Sequence, residues 1–266
     1  MKRYFIFLLI GALPFINSCS KKDGGGLNIF SIQDDIELGL KTKEQIEASP
    51  TEFPVLDERN NQEAYKYLQE MRDDILATNT LKYKDDFEWG VYIIEDDNTL
   101  NAFCTPGGYI YIYTGLIKFL DDKSSLIGVL GHEMAHADQR HSTKLLTKTY
   151  GLQTLFDIIL GKDQGALSNL ALNLASLKFS RKEETDADLH SVIYLCPTKY
   201  YSDGAAHFFE KLNEIGSSNP PEFLSTHPNP ENRIQNIKTK AEELKCSDTI
   251  SEEENVSGYQ QFKSLL

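Results

Sequence analysis

Apolar positions recur at helical spacing through the first third of the chain. Between Ser31 and Ala48, Ile32, Ile36, Leu40 and Ile46 share a rough stripe among charged residues, so an amphipathic helix is expected there. Ser49–Pro54 breaks the pattern, and Asn61–Leu76 resumes it with Ala64, Tyr65, Leu68, Met71 and Ile75. The character then changes. Phe87–Ile94 is aromatic and β-branched, a strand, and Asp96-Asp97-Asn98 turns the chain. Tyr109–Tyr113 is a further strand, entered through Pro106-Gly107-Gly108, a turn whose glycines accept positive φ. With the residues from Asn101 it predicts a hairpin whose edge an extended peptide could join. Leu126, Ile127, Val129 and Leu130 open a helix that is apolar on more than one side, as a buried helix requires, with Ser124 and Ser125 offered as its N-cap. Gly151–Leu160 and Gly165–Leu177 read as further helices, the second burying Leu167, Leu170, Leu174 and Leu177, and Glu231–Leu244 is the last. The expected fold class is α+β, mainly helical with a small sheet or hairpin beside the buried helix.

The start of the chain is set apart. Lys2 and Arg3 precede a short apolar run, Tyr4–Ile16, too short to span a bilayer comfortably but suited to a signal peptide over residues 1–18. Ile16-Asn17-Ser18-Cys19 resembles a bacterial lipobox, which implies cleavage before Cys19 and lipidation of that residue. Residues 19–30 are then a lipidated cysteine and flexible tether, with Ser20–Gly26 (SKKDGGG) its clearest part, and residues 31–266 form one domain. The net charge of −13 argues against a nucleic-acid partner. Losing Lys2 and Arg3 takes the 27 basic residues to 25 against 40 acidic, near −15, so the lipid rather than the protein surface must hold the membrane. Cys104, Cys196 and Cys246 remain, and an odd number leaves at least one unpaired within the chain. Cys196 ends one predicted helix and Cys246 follows another, which makes them the expected disulfide.

Chemistry enters at His132-Glu133-Met134-Ala135-His136, an H-E-x-x-H inside the buried helix. Four residues advance a helix by about 400°, so the two imidazoles stack on one face and can take two corners of a tetrahedral zinc. Glu133 sits about 100° round, placed to take a proton from water at the metal. A third protein ligand is needed. His141, His190, His207, His227 and several acids are available downstream; His141 is about 140° from His136 on a continued helix and ill placed. Glu184 and Asp188, one turn apart around small Ala187, could supply a ligand and an acceptor for the second nitrogen of a ligand histidine. An acid-rich helix start equally suits the helix dipole.

Four patterns occur in order: N-A-F-x-x-P-G-G at Asn101–Gly108, H-E-x-x-H at His132–His136, E-x-x-A-D at Glu184–Asp188, and Thr226-His227-Pro228 followed by Arg233. Together they resemble the HtpX-like and CAAX-prenyl-protease-like zinc metalloendopeptidases, gluzincins, and most nearly their BepA-like periplasmic branch, over roughly residues 31–240. The resemblance implies a zincin-type domain holding one Zn2+ per chain on His132, His136 and Glu184, with Asp188 behind the ligands and Glu133 as general base. It implies that Asn101, Ala102, Phe103, Gly107 and Gly108 bind the peptide, and that His227 lies near the metal, stabilising the oxyanion or occluding the site. The implied function is cleavage of misfolded envelope proteins by an outer-membrane lipoprotein facing the periplasm, with surface display an alternative. A latent or inactive zinc protein that binds such substrates, with His227 as fourth ligand, is the competing reading.

Overall fold

The computed structural model describes residues 28–150, 154, 155, 157, 169, 170, 173, 174, 176–215, 222–229 and 231–266. The signal peptide, Cys19, Ser20–Gly26 and most of the helices expected at Gly151–Leu160 and Gly165–Leu177, Leu167 included, lie outside the described residues. Leu170 and Leu174 are buried in a small apolar cluster with Phe30 and Leu38.

The fold is mainly helical with one three-stranded sheet. The first two helices, α1 (Ile32–Glu47) and α2 (Gln62–Ala77), lead into β1 (Gly90–Ile94), β2 (Ala102–Thr105) and β3 (Tyr109–Tyr113). β2 and β3 form the expected antiparallel hairpin, while β1 pairs with β3 in parallel, giving the order β1-β3-β2. The turn at Pro106-Gly107-Gly108 takes φ of 76° and 85° at its glycines. It seats against α1 where Gly39 has no side chain: a Cβ there would fall 2.0 Å from the Pro106 carbonyl oxygen.

After α3 (Thr114–Phe119), α4 (Lys123–Asp138) runs through the centre with every residue buried. The expected cap is corrected by one turn element: Asp122, not Ser124 or Ser125, is the N-cap, accepting from the Ser125 amide at 2.8 Å. A carboxylate makes the stronger, charge-assisted bond at a helix N-terminus. Helices α6 (Arg181–Leu195) and α7 (Gly204–Ile215) pack most extensively on α4, and β2 packs on it too. Bare backbone permits this closeness, since a Cβ on Gly128 would lie 2.2 Å from the Ala205 nitrogen and one on Gly204 2.0 Å from the Ser124 oxygen. Ser191 of α6 donates to the Gly128 carbonyl at 3.0 Å.

Between these come α5 (His141–Thr149), after α7 the short α8 (Glu222–Thr226), then α9 (Arg233–Leu244) and a C-terminal π turn, Glu253–Ser257, running into α10 (Gly258–Lys263). Residues 28–30, expected as the end of a tether, pack on the body of the fold. Phe30 is buried, and Asn28 and Ile29 bond Thr143 and Thr147 of α5, because this apolar pair needs cover. No described helix is long and apolar enough to cross a membrane.

Candidate metal centre

Two helices and the residue that follows a third aim four donors at one point. His132 and His136 come from the middle and end of α4, one turn apart. Glu184 comes from the first turn of α6, where Ser180 and Glu183 form a capping box. That division sorts the paired acids: Glu183 caps the helix, leaving Glu184 to turn inward. His227 follows α8. Single donor atoms of His132, His136, Glu184 and His227 all lie within 4.8 Å of one another, and all four side chains are buried. The Nε2 atoms of His132 and His136 are 3.0 Å apart, and His136 Nε2 is 3.4 Å from Glu184 Oε1. His227 turns Nδ1 to Glu184 Oε1 at 3.1 Å.

The surrounding groups hold this set in place. His132 Nδ1 lies 2.9 Å from Asp188 Oδ1. The Arg233 guanidinium grips both oxygens of Asp188 at 2.8 Å, donates to Glu184 Oε2 at 2.9 Å, and stacks 3.7 Å over Phe209. Phe179 stacks on the His136 ring at 4.0 Å. Neither oxygen of Glu133 has a hydrogen-bond partner among the described residues, although the side chain is wholly buried.

The electrostatics favour a cation. Glu133, Glu184 and Asp188 are three buried carboxyl groups with Arg233 as the permanent positive charge beside them, a surplus of buried acid that is costly unless a proton or a cation offsets it. Burial pushes the Glu133 carboxyl up, against the pull of His227 and His132. Burial opposes charge on Glu184 too, yet the three histidines hold it well below the carboxylate range. Burial drives His136 well below the ordinary imidazole value; for His132 the same burial is outweighed by Asp188 and Glu184, which raise it to about 9. A proton on His132 is what a divalent cation at the converging donors would displace. The donor set, imidazoles with one carboxylate at a buried point, suits zinc chemistry.

The profile of peptidase family M48 matches residues 62–241, more than half of the chain. The chain belongs to that family. Among its relatives are the mitochondrial metalloendopeptidase OMA1 of Arabidopsis thaliana, 30% identical over 173 residues, covering 63% of this chain and 35% of the relative. Another is the beta-barrel assembly-enhancing protease of Escherichia coli K12, 28% identical over 170 residues, covering 58% and 34%. The OMA1 of Schizosaccharomyces pombe is 29% identical over 177 residues, covering 65% and 51%. The chain spans about a third to a half of the length of the relatives it matches.

For this M48 domain the structure brings His132, His136, Glu184 and His227 together, with Glu133 and Asp188 beside them. The expected peptide-binding residues divide. Ala102 joins the core with α4, but strand alternation turns Phe103 the other way, into an aromatic cluster with Phe53 and Tyr111. Gly107 and Gly108 are taken up by packing, against Asp35 and Ile36 of α1 and against Trp89. Asn101 is buried, its Oδ1 accepting from the Ala102 amide at 3.0 Å. Cys104, the free thiol among the described residues, is pushed up by burial and by the charge of nearby Glu133. Cys196 and Cys246 are bonded to each other. Two neighbours were not singled out by sequence, Phe179 and, as a contact of both inward acids, Arg233. Of those two, Arg233 left a trace, as the last residue of the fourth pattern. His141, set aside as a ligand, is not among the converging donors but meets His136 from behind, Nδ1 to Nδ1 at 3.0 Å.

Proposed function

We propose that this M48 chain is a zinc-dependent endopeptidase, with His132, His136 and Glu184 as metal ligands and Glu133 as general base. One observation carries the reading: a fully buried carboxylate whose oxygens make no hydrogen bond, with only His227 Nε2 at 3.5 Å from Oε1 as an ionic neighbour, sits beside four converging donors. Zinc at that point supplies Lewis acidity toward the scissile carbonyl and the attacking water. Glu133 does the proton work. Its raised affinity for protons suits it to accept one from water and return it to the leaving amine. Asp188 and Arg233 hold His132 with its Nε2 directed inward, and Arg233 restrains one oxygen of Glu184.

A latent form is the second reading, and the position of His227 favours it. A fourth protein donor leaves no open corner on a tetrahedral metal. Phe223 of α8 also donates its amide to the Leu100 carbonyl at 3.0 Å, just ahead of the edge strand a peptide would join. Under this reading His227 must swing away for turnover.

The proposed substrates are unfolded or misassembled envelope proteins, and the proposed location is the bacterial envelope, with Cys19 lipidated and the domain facing the periplasm. The lipobox-like Ile16–Cys19 and the name of the bacterial relatives support this. Incubating the purified chain with reduced, unfolded casein tests the activity. Hydrolysis should stop with a chelator and with Glu133→Gln, which should keep its metal; undiminished hydrolysis by Glu133→Gln refutes the assignment of the base. His227→Ala should hydrolyse faster if the histidine occludes the site and slower if it stabilises the oxyanion.

A further inference from the structure

We propose that His141 and Asp186 form a two-step relay that fixes the tautomer of His136, so that this residue presents a bare Nε2 to the metal; the inference rests on His136 being a ligand.

On an uninterrupted helix His141 would lie on a different face from His136. The chain avoids that outcome. α4 ends at Asp138, and Arg140 adopts a left-handed backbone, φ 58°, uncommon for a residue with a side chain. Its guanidinium secures the bend by donating to the Phe30 and Ser31 carbonyls at 2.6 and 3.0 Å and to Asp35 Oδ1 at 3.0 Å. The bend starts α5 at His141 and folds that side chain back, so that its Nδ1 sits 3.0 Å from His136 Nδ1. The far nitrogen, His141 Nε2, lies 3.2 Å from Asp186 Oδ2. His141 is buried, while Asp186 reaches solvent and receives His190 as a second neighbour, Nδ1 to Oδ1 at 3.5 Å.

The proton positions follow from what each atom can do. An ionised carboxylate only accepts, so the proton on His141 belongs on Nε2. A neutral imidazole then has a lone pair on Nδ1, and the hydrogen bond 3.0 Å away is completed only if His136 carries its proton on Nδ1. That leaves His136 Nε2 unprotonated, facing His132 Nε2 and Glu184 Oε1. Without Asp186 the His141 ring is free to hold its proton on Nδ1. It would then point a donor at His136 and push that proton onto Nε2, where it competes with a metal. The other ligand histidine has a carboxylate beside it without an intermediary, Asp188 Oδ1 at 2.9 Å from His132 Nδ1, two residues further along α6, so one helix places an acid behind each ligand.

The test uses the zinc-loaded chain with 15N-labelled histidine, and a fluorescent chelator to measure zinc affinity in Asp186→Ala, His141→Phe, His141→Gln and His136→Ala. NMR should show His136 protonated at Nδ1 and His141 at Nε2. Asp186→Ala and His141→Phe should weaken zinc binding by about 10- to 100-fold. His141→Gln, whose amide oxygen can accept the same proton, should recover most of it. Asp186 is half-exposed, so its variant reports on the relay even if His141→Phe folds poorly. Wild-type affinity in Asp186→Ala, or a proton on His141 Nδ1 in the wild type, overturns the relay. Zinc retained by His136→Ala would instead overturn the ligand assignment beneath it.

Discussion

Arg233 is buried against both inward acids of α6, and its removal would leave Glu184 and Asp188 without their permanent counter-charge. Breaking a buried ion pair from one side costs about 3–5 kcal/mol, so Arg233→Met should lower the denaturation midpoint strongly. Arg233→Lys should recover little, because an ammonium cannot bridge two carboxylates as a planar fork does. Glu183 yields a prediction about acid stability. Partial burial opposes its charge, but Ser180 and Lys148 hold its carboxyl below the ordinary value. A depressed carboxylate stabilises the fold above its unfolded pKa, and that contribution is lost as pH falls through the folded one. Glu183→Gln should therefore flatten the acid limb of thermal stability measured between neutral pH and the carboxylate range, leaving the neutral side unchanged in slope. At this scale the sequence was informative wherever a regular helix carried the geometry: His132 with His136, and Glu184 with Asp188, stand as helical arithmetic places them. His141 escaped because its contact depends on the left-handed break at Arg140, which no periodicity announces. Phe179 and Arg233 reach the site across the tertiary fold.

Elements were legible by period and less so by contact. The stripe of α2 and the burial of α4 follow from their apolar positions. The parallel pairing of β1 with β3, and the meeting of α4 with α7, do not. The α1 stripe is misplaced by its period: of Ile32, Ile36, Leu40 and Ile46 only Ile46 is buried, and Leu40 is 46% exposed. The packed face is Asp35, Leu38, Gly39, Thr42 and Ile46, because the turn at Gly107 seats on it. Gly128 and Gly204 read as helix weakeners in isolation, yet each marks a backbone approach with no room for a methyl group. Gly204→Ala should destabilise by about 1–3 kcal/mol, the usual cost of overpacking, where an exposed helix would have gained from the same change. Urea unfolding measures it; a neutral or stabilising result would mean that α7 shifts freely on α4. The C-terminal α10 went unread because it is one short turn in a polar stretch. Its contribution is tertiary: Tyr259 bonds the Ile117 carbonyl at 2.7 Å, and Asn255 just before it accepts from the Ser124 amide at 2.9 Å.

Across the whole molecule, α6 and α9 are joined at both ends. Arg233 links their starts at the metal centre, and Cys196–Cys246 links their far ends across a separation of 50 residues. Loop entropy assigns such a link about 4 kcal/mol. The double variant Cys196→Ser, Cys246→Ser should lose stability of that order, and lose metal secondarily as α9 loosens. The proposed centre takes three protein ligands from α4 and α6, and adjacent glutamates give the sharpest comparison. Glu183 and Glu184 share charge and helix, but one caps α6 and the other faces the donors. Elemental analysis of the purified chain should find about one zinc in the wild type and in Glu183→Ala, and close to none in Glu184→Ala after mild chelation. Equal zinc in the two variants would contradict the proposed centre.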